Sequence, residues 1–195
     1  MARKDFDLIT EWVEPDSRIL DLGCGDGSLL KLLNKKRNTS GYGVDTSIDK
    51  TIKSLDNTIN IINADINDHM DFFKDKSFDY VILAQSLQVV DNPVSLIKEM
   101  LRIGTEVIIS FPNMGYWRSR LYLFFRGEMP VTSELPFSWH STPNIHLCTI
   151  RDFKKMCILN NFQITEEVIN NVKGKNISAS LLNNLTGTSA IFRIK

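Results

Sequence analysis

The sequence predicts an α/β protein, a three-layer sandwich in which helices cover both faces of a mostly parallel sheet. Three observations predict it. Short, near-continuous apolar runs recur five times between residues 18 and 111, the pattern of strands buried on both faces. Segments of helical spacing alternate with them. The first run, in Arg18-Ile-Leu-Asp-Leu-Gly-Cys-Gly-Asp-Gly27, ends in three glycines at alternate positions and leads straight into a leucine-rich helix. Strand, glycine turn, helix is the layout in which such sheets hold nucleotide-like ligands at the carboxyl edge.

The elements follow in order. Phe6, Leu8, Ile9, Trp12 and Val13 share one face of a lead-in helix that Pro15 ends. After the first strand, Leu29, Leu30, Leu32 and Leu33 recur at helical spacing. Gly41–Asp45 reads as a second strand, after which Thr46 or Ser47 caps a helix through about Leu55. Ile59–Asp65 reads as a third strand ending in an acid, and Ser77–Ala84 as a fourth. Asn92-Pro93 opens a helix with Val94, Leu96, Ile97, Met100 and Leu101 on its apolar side. Glu106–Phe111 is a fifth strand, stopped by Pro112. The rhythm then breaks into a basic-aromatic helix from Tyr116 to Phe125, a stop at Gly127 and a loop rich in Pro, Trp and Phe. A further helix starts at Thr149. Phe162–Val172 and Thr188–Ile194 are two last strands joined by an Asn-rich connection. With no internal repeat or low-complexity linker, residues 1–195 read as one domain, with 1–17 an N-terminal helix and 112–146 an insertion or cap.

Formal net charge is zero, so neither a nucleic-acid groove nor an anionic membrane has global electrostatic support. Cys24, Cys148 and Cys157 are an odd set without CxxC spacing, which argues for reduced thiols and a cytoplasmic setting. The first residues hold no apolar segment of signal-peptide length, so no leader is expected, and no run of about 20 apolar residues occurs. His69, His140 and His146 lack metal-ligand spacing, so no metal is expected.

The turn discriminates between ligands. A dinucleotide fingerprint needs its third glycine at position 28, where Ser stands; here it falls at Gly27. Asp21, just before Gly23, is read as facing the ligand crevice, where a carboxylate repels a pyrophosphate and attracts an amino group. That favours S-adenosyl-L-methionine (or S-adenosylhomocysteine) over NAD. Asp45 lies where an acid accepts hydrogen bonds from ribose hydroxyls. Asp65 is placed to accept from the adenine amine, with Ile66 packing on the ring. Gly23, Cys24, Gly25, Gly27, Thr46 and Gln85 complete the expected cofactor-binding set. The competing reading is that each acid only caps the helix that follows it; three acids closing three successive strands beside a glycine turn favour the ligand.

These residues resemble the Rossmann-like, class I methyltransferase-type fold that uses S-adenosylmethionine, and further segments resemble one branch, the methionine-biosynthesis MetW family. They are Lys76–Gln88, Glu99–Gly104, Ser110–Arg118, Arg126–Thr132 and Thr142–Phe153. The resemblance runs from about Arg18 to the end of the chain. It implies a seven-stranded sheet of order 3-2-1-4-5-7-6 with the last strand antiparallel, and a cytoplasmic role alongside homoserine O-acyltransferase.

Chemistry is less legible. Methyl transfer needs chiefly alignment, so a catalytic base is optional. The crevice is expected to be lined by Gln85, Ser86, Gln88 and Asn113, with Tyr116, Trp117, Trp139, His140 and His146 closing over it. Gln85, Gln88 and His146 are the catalytic candidates, and the competing reading gives them capping and loop-fixing roles. No G-x-S-x-G elbow exists for acyl transfer. The helix carrying Trp117, Leu121 and Phe124 between Arg118 and Arg126 invites a nucleic-acid reading, but a partner surface built from it and from Pro130–Trp139 fits the composition better. Two functional readings stand: a ligand-binding partner of homoserine O-acyltransferase that supports or regulates homoserine acylation, and a small-molecule methyltransferase.

Overall fold

The computed structural model describes residues 4–47, 59–68, 70–132, 135–171, 176–177 and 182–195. Helix α1 (Lys4–Trp12) leads into β1 (Arg18–Leu22), α2 (Ser28–Arg37) and β2 (Ser40–Asp45). Then come β3 (Asn60–Asn63), β4 (Phe78–Ala84), a single 3-10 turn at Leu87–Val89, α3 (Pro93–Ile103) and β5 (Gly104–Pro112). The last part holds α4 (Trp117–Arg126), α5 (Ile150–Leu159), β6 (Ile164–Asn170), β7 (Asn176–Ile177), α6 (Asn183–Thr186) and β8 (Ser189–Ile194).

The sheet runs β3-β2-β1-β4-β5-β8-β6-β7. The first five strands in that order pair in parallel, and β8 enters antiparallel between β5 and β6. Seven principal strands therefore take the expected order, β8 filling the seventh strand's place, and β7 adds a two-residue edge on β6. Alternation along the central strands sorts side chains between two layers. Leu20, Leu22, Val81, Leu83, Val107 and Ile109 pack with Ile97 and Met100 of α3 and Phe153 and Cys157 of α5. Ile19, Tyr80, Ile82 and Ile108 face Ile9 of α1 and Leu29, Leu30 and Leu33 of α2.

Local chemistry places the helices as expected. The Asn92 side chain accepts the Ser95 amide with Pro93 in the first turn, and Thr149 and Asp152 close a reciprocal capping box on α5. Gly127, at φ 66°, ends α4. Gly41 lets β1 and β2 meet: a Cβ there would stand 1.9 Å from the Ile19 carbonyl oxygen. Two expectations shift. The third strand stops at Asn63, so Asp65 lies in the loop two residues beyond it. The connection before β8 contributes β7 at Asn176–Ile177. The helix expected from Thr46 or Ser47 to Leu55 lies outside the described residues beyond 47, as do His69 and most of the Asn-rich connection. Among the described residues no helix is long and apolar enough to cross a membrane, and no group of three or more His, Cys, Asp or Glu could hold a metal ion.

Candidate functional site

The site grows from the glycine turn. Gly23, Gly25 and Gly27 adopt φ of 70°, 59° and 72°, a region that side chains with a Cβ enter at a cost. Their conformation folds the chain back on β2, so the amides of Gly23 and Cys24 both donate to the Val44 carbonyl, at 2.8 and 3.1 Å. Asp45 then reaches across. Its Oδ2 accepts the Gly25 amide at 2.8 Å and its Oδ1 accepts the Ser47 amide at 2.9 Å. On the far side Ser86 lies close enough to Gly23 that an added Cβ would meet its Oγ at 2.6 Å.

These residues enclose a cavity of about 960 Å³ at the carboxyl edge of the sheet. Gly23, Cys24, Gly25, Asp45, Thr46, Asp65, Ile66 and Gln85 of the predicted set line it. Two of that set do not. Asp21 sits inside β1, 2 % exposed, because alternation puts it on the same covered sheet face as Ile19. It is absent from the cavity lining; burial, with the Asp21 and Asp45 carboxylates after it, pushes the Cys24 thiol above the ordinary thiol range. Gly27 is buried as well, its open side against Ile59 and Ile61.

Sequence reasoning missed Phe6 and Asp7 of α1, Asp26 and Asn67, all of which line the cavity. The apolar face of α1 was legible, but nothing in its spacing says that the same helix reaches the strand ends. Asp26 is held below the usual carboxylate range, chiefly by the Ser28 hydroxyl, which donates to it at 2.6 Å. Asp65 binds its own loop, its Oδ1 accepting the amide and side chain of Asn67. Four carboxylates and no Lys, Arg or His stand among the described lining residues.

The family profile described as methionine biosynthesis protein MetW matches residues 3–194. The chain belongs to the MetW family. It is 36 % identical over 197 residues to a bifunctional methionine biosynthesis protein MetXA/MetW of Rhodopirellula baltica, a match covering 96 % of this chain and 32 % of that one. A demethylmenaquinone methyltransferase of Staphylococcus carnosus is 30 % identical over 134 residues, 63 % of this chain and 56 % of its own. The chain thus spans about a third of the first relative and little over half of the second. Among solved structures, an S-adenosylmethionine-dependent methyltransferase from Mesorhizobium loti superposes with a TM-score of 0.71 at 14 % identity, covering 99 % and 98 % of the two chains. The plantazolicin methyltransferase BpumL, in complex with SAH, gives 0.66 at 17 % identity over 98 % and 80 %. These likenesses establish the class I methyltransferase fold.

In this MetW-family chain the catalytic candidates are not gathered at one place. Gln85 lines the first cavity in a left-handed conformation, φ 58°, with its amide held by the Ser110 carbonyl at 2.9 Å. Gln88 turns away: its Nε2 donates to the Gln85 carbonyl at 2.8 Å, and it lines a separate cavity of about 330 Å³ with His146. The Gln88 carbonyl accepts the amides of Ile145 and His146, and His146 Nε2 bonds the Asp91 carbonyl at 3.2 Å. That is the loop-fixing geometry that competed with catalysis in the sequence.

Asn113 is another correction. It is buried, its Nδ2 donating to the Asn184 and Gly187 carbonyls and its Oδ1 accepting the Gly115 and Ile150 amides. This knot sends the following chain toward the α6–β8 side of the sheet. Accordingly Tyr116, Trp117, Trp139 and His140 do not close over the first cavity; of the described residues in 112–146 only Pro143 lines it. Trp139 is 76 % exposed.

Proposed function

We propose that the cavity at the glycine turn binds S-adenosyl-L-methionine, or S-adenosylhomocysteine, and that the chain acts with homoserine O-acyltransferase to support or regulate homoserine acylation. The observation that carries the ligand is the lining: a left-handed glycine turn clamped by Asp45, in a cavity with four carboxylates and no cationic side chain among its described residues. Such a wall suits an adenosine ligand carrying an ammonium and a sulfonium, and repels a pyrophosphate. Its volume lies within the range of cofactor sites. The ligand, when bound, would bring an electrophilic methyl group; the chain's own residues supply shape and charge. Asp45 would bond the ribose while its oxygens hold Gly25 and Ser47, and Asp65 with Ile66 would receive the adenine. Gly23, Cys24, Gly25 and Thr46 form the floor, and Gln85 the far wall. Asp21 would act through its field, not by contact.

The partner reading is supported by family membership and by the Rhodopirellula baltica relative, in which MetXA and MetW parts share one chain. Residues 1–195 are taken as one domain in a cytoplasmic setting, with 112–146 available to the partner. Family membership and the shared chain of that relative put the accessory reading ahead of methyl transfer, for which a missing base decides nothing. The observation favouring a methyltransferase is Gln85 itself, held at the cavity in a conformation that costs energy. The test is co-purification of the chain with homoserine O-acyltransferase, followed by acylation rates with and without the chain and the ligand. Association together with a changed rate supports the reading. No association and an unchanged rate defeats it, and labelled methyl appearing in a metabolite extract would move the assignment to the methyltransferase.

A further inference from the structure

Helix α4 is exposed where a helix of its composition is ordinarily covered. Of Trp117–Arg126 only Ser119 is buried. Phe124 and Phe125 are 79 % and 75 % exposed, their rings edge to face at 5.1 Å. At about 200 Å² per ring those two alone leave about 300 Å² of aromatic surface in solvent, as much as the largest patch on many whole monomers. Leu121, Leu123, Met129 and Val131 extend it along the same stretch of chain. A ten-residue helix is too short to hold itself in water. This one is held on one side, by buried Ser119, by Arg120 donating to the Gly115 carbonyl at 2.6 Å, and by Tyr122, which bonds Glu128 and lines a cavity with Val131 and Leu135.

We propose that the Phe124–Phe125 face of α4 is the docking surface for homoserine O-acyltransferase. The proposal rests on the partnership proposed above and adds its location. Aromatic and Arg side chains dominate interface hot spots, and here they are exposed together. Charge selects the occupant. The helix carries Arg118, Arg120 and Arg126, all exposed, and no acid, so even with Glu128 just beyond its end this stretch is positive. A two-fold contact between copies sets a patch against itself and opposes arginine to arginine. A different protein can offer carboxylates at the rim. The relative that carries MetXA and MetW parts in one chain keeps such a partner at high effective concentration. The face also lies outside the ligand cavity, none of whose lining residues belongs to α4, so partner and ligand can be held together.

The test uses the full chain, the purified homoserine O-acyltransferase of the same organism, and the variants F124S/F125S and R126E. I158S is the control, since Ile158 is 75 % exposed on α5 and lies in neither site. Both test variants should fold with the wild-type unfolding midpoint and bind S-adenosylhomocysteine unchanged. F124S/F125S should weaken binding to the acyltransferase at least tenfold and R126E severalfold, with I158S unaffected. Wild-type association that persists in F124S/F125S overturns the location and leaves the partnership intact. Failure of the wild type to bind overturns both. A wild-type dimer that F124S/F125S converts to monomers assigns the face to a second copy, and retention on phosphatidylglycerol vesicles lost in the variants assigns it to a membrane; either result overturns the proposal.

Discussion

Asp45 binds the glycine turn directly: its carboxylate takes the Gly25 amide on one oxygen and the Ser47 amide on the other, at 2.8 and 2.9 Å. A residue read from the sequence as either a ribose acceptor or a helix cap therefore also fixes the loop that shapes the cavity. Both oxygens keep a further lone pair for a ligand hydroxyl.

Replacing Asp45 should separate these roles. Asp45→Ala is expected to lower affinity for S-adenosylhomocysteine by about 1–3 kcal/mol, the usual cost of stranding bonded polar groups. Asp45→Asn, which keeps one acceptor oxygen, should lose less. Calorimetric titration measures both; unchanged affinity in Asp45→Ala would remove Asp45 from the site.

Gly23→Ala tests the shape of the turn. The added Cβ meets Ser86 Oγ at 2.6 Å, and φ of 70° costs a residue with a Cβ about 1–2 kcal/mol. Ligand affinity should fall at least tenfold and the urea midpoint should drop. Adding Ser86→Gly should restore part of the affinity by removing the crowding, while the stability loss remains. Wild-type affinity in the single variant would contradict the geometry.

Glu106 should matter more than its neighbour. It is 7 % exposed and pairs with Arg193 and Lys195, whereas Glu166, the other partner of Arg193, has a half-exposed side chain. Glu106→Ala leaves a largely buried guanidinium short of its main partner and should cost about 3 kcal/mol. Glu166→Ala should cost under about 1 kcal/mol. Urea unfolding compares them, and equal losses would contradict this ranking.

The thiols should be inert at neutral pH. Burial pushes Cys157 up to about 11, and burial with the nearby Asp152 carboxylate pushes Cys148 to about 12; Cys24 lies higher still. A thiol whose folded value is raised holds its proton longer in the native state than in the unfolded chain. Its contribution to stability is therefore complete below about pH 9 and is lost as pH rises through 11 and 12. Native protein at pH 8 should react slowly with Ellman's reagent and yield three equivalents only in denaturant. A fast equivalent at pH 8 would show an exposed, activated thiol.

The sheet was legible because each central strand is buried on both faces and so reads as an apolar run, and because Asn92-Pro93, Thr149 and Gly127 mark helix ends by local chemistry. The strand order was not in the periodicity; it came with the resemblance. At the site, the turn and Asp45 were legible because glycine spacing and an acid at a strand end are local signals. Asp21 is expected at the crevice from its nearness to Gly23, but in β1 alternation sets it on the sheet face of Ile19, buried and away from the cavity lining. Phe6 and Asp7 were missed because α1 reaches the strand ends through tertiary packing, which no spacing within α1 encodes. Asn113 and Gln88 look like crevice polar groups, but Asn113 spends its hydrogen bonds on backbone far along the chain and Gln88 donates to the neighbouring Gln85 carbonyl. Sequence shows a polar side chain without showing its partners.

Titration of residues 1–195 with S-adenosyl-L-methionine, S-adenosylhomocysteine and NAD, read by calorimetry, tests the ligand most directly. The carboxylate-lined cavity predicts one-to-one binding of the S-adenosyl ligands, weakened by Asp45→Ala, and no heat with NAD. Binding of NAD with none of S-adenosyl-L-methionine or S-adenosylhomocysteine would contradict it.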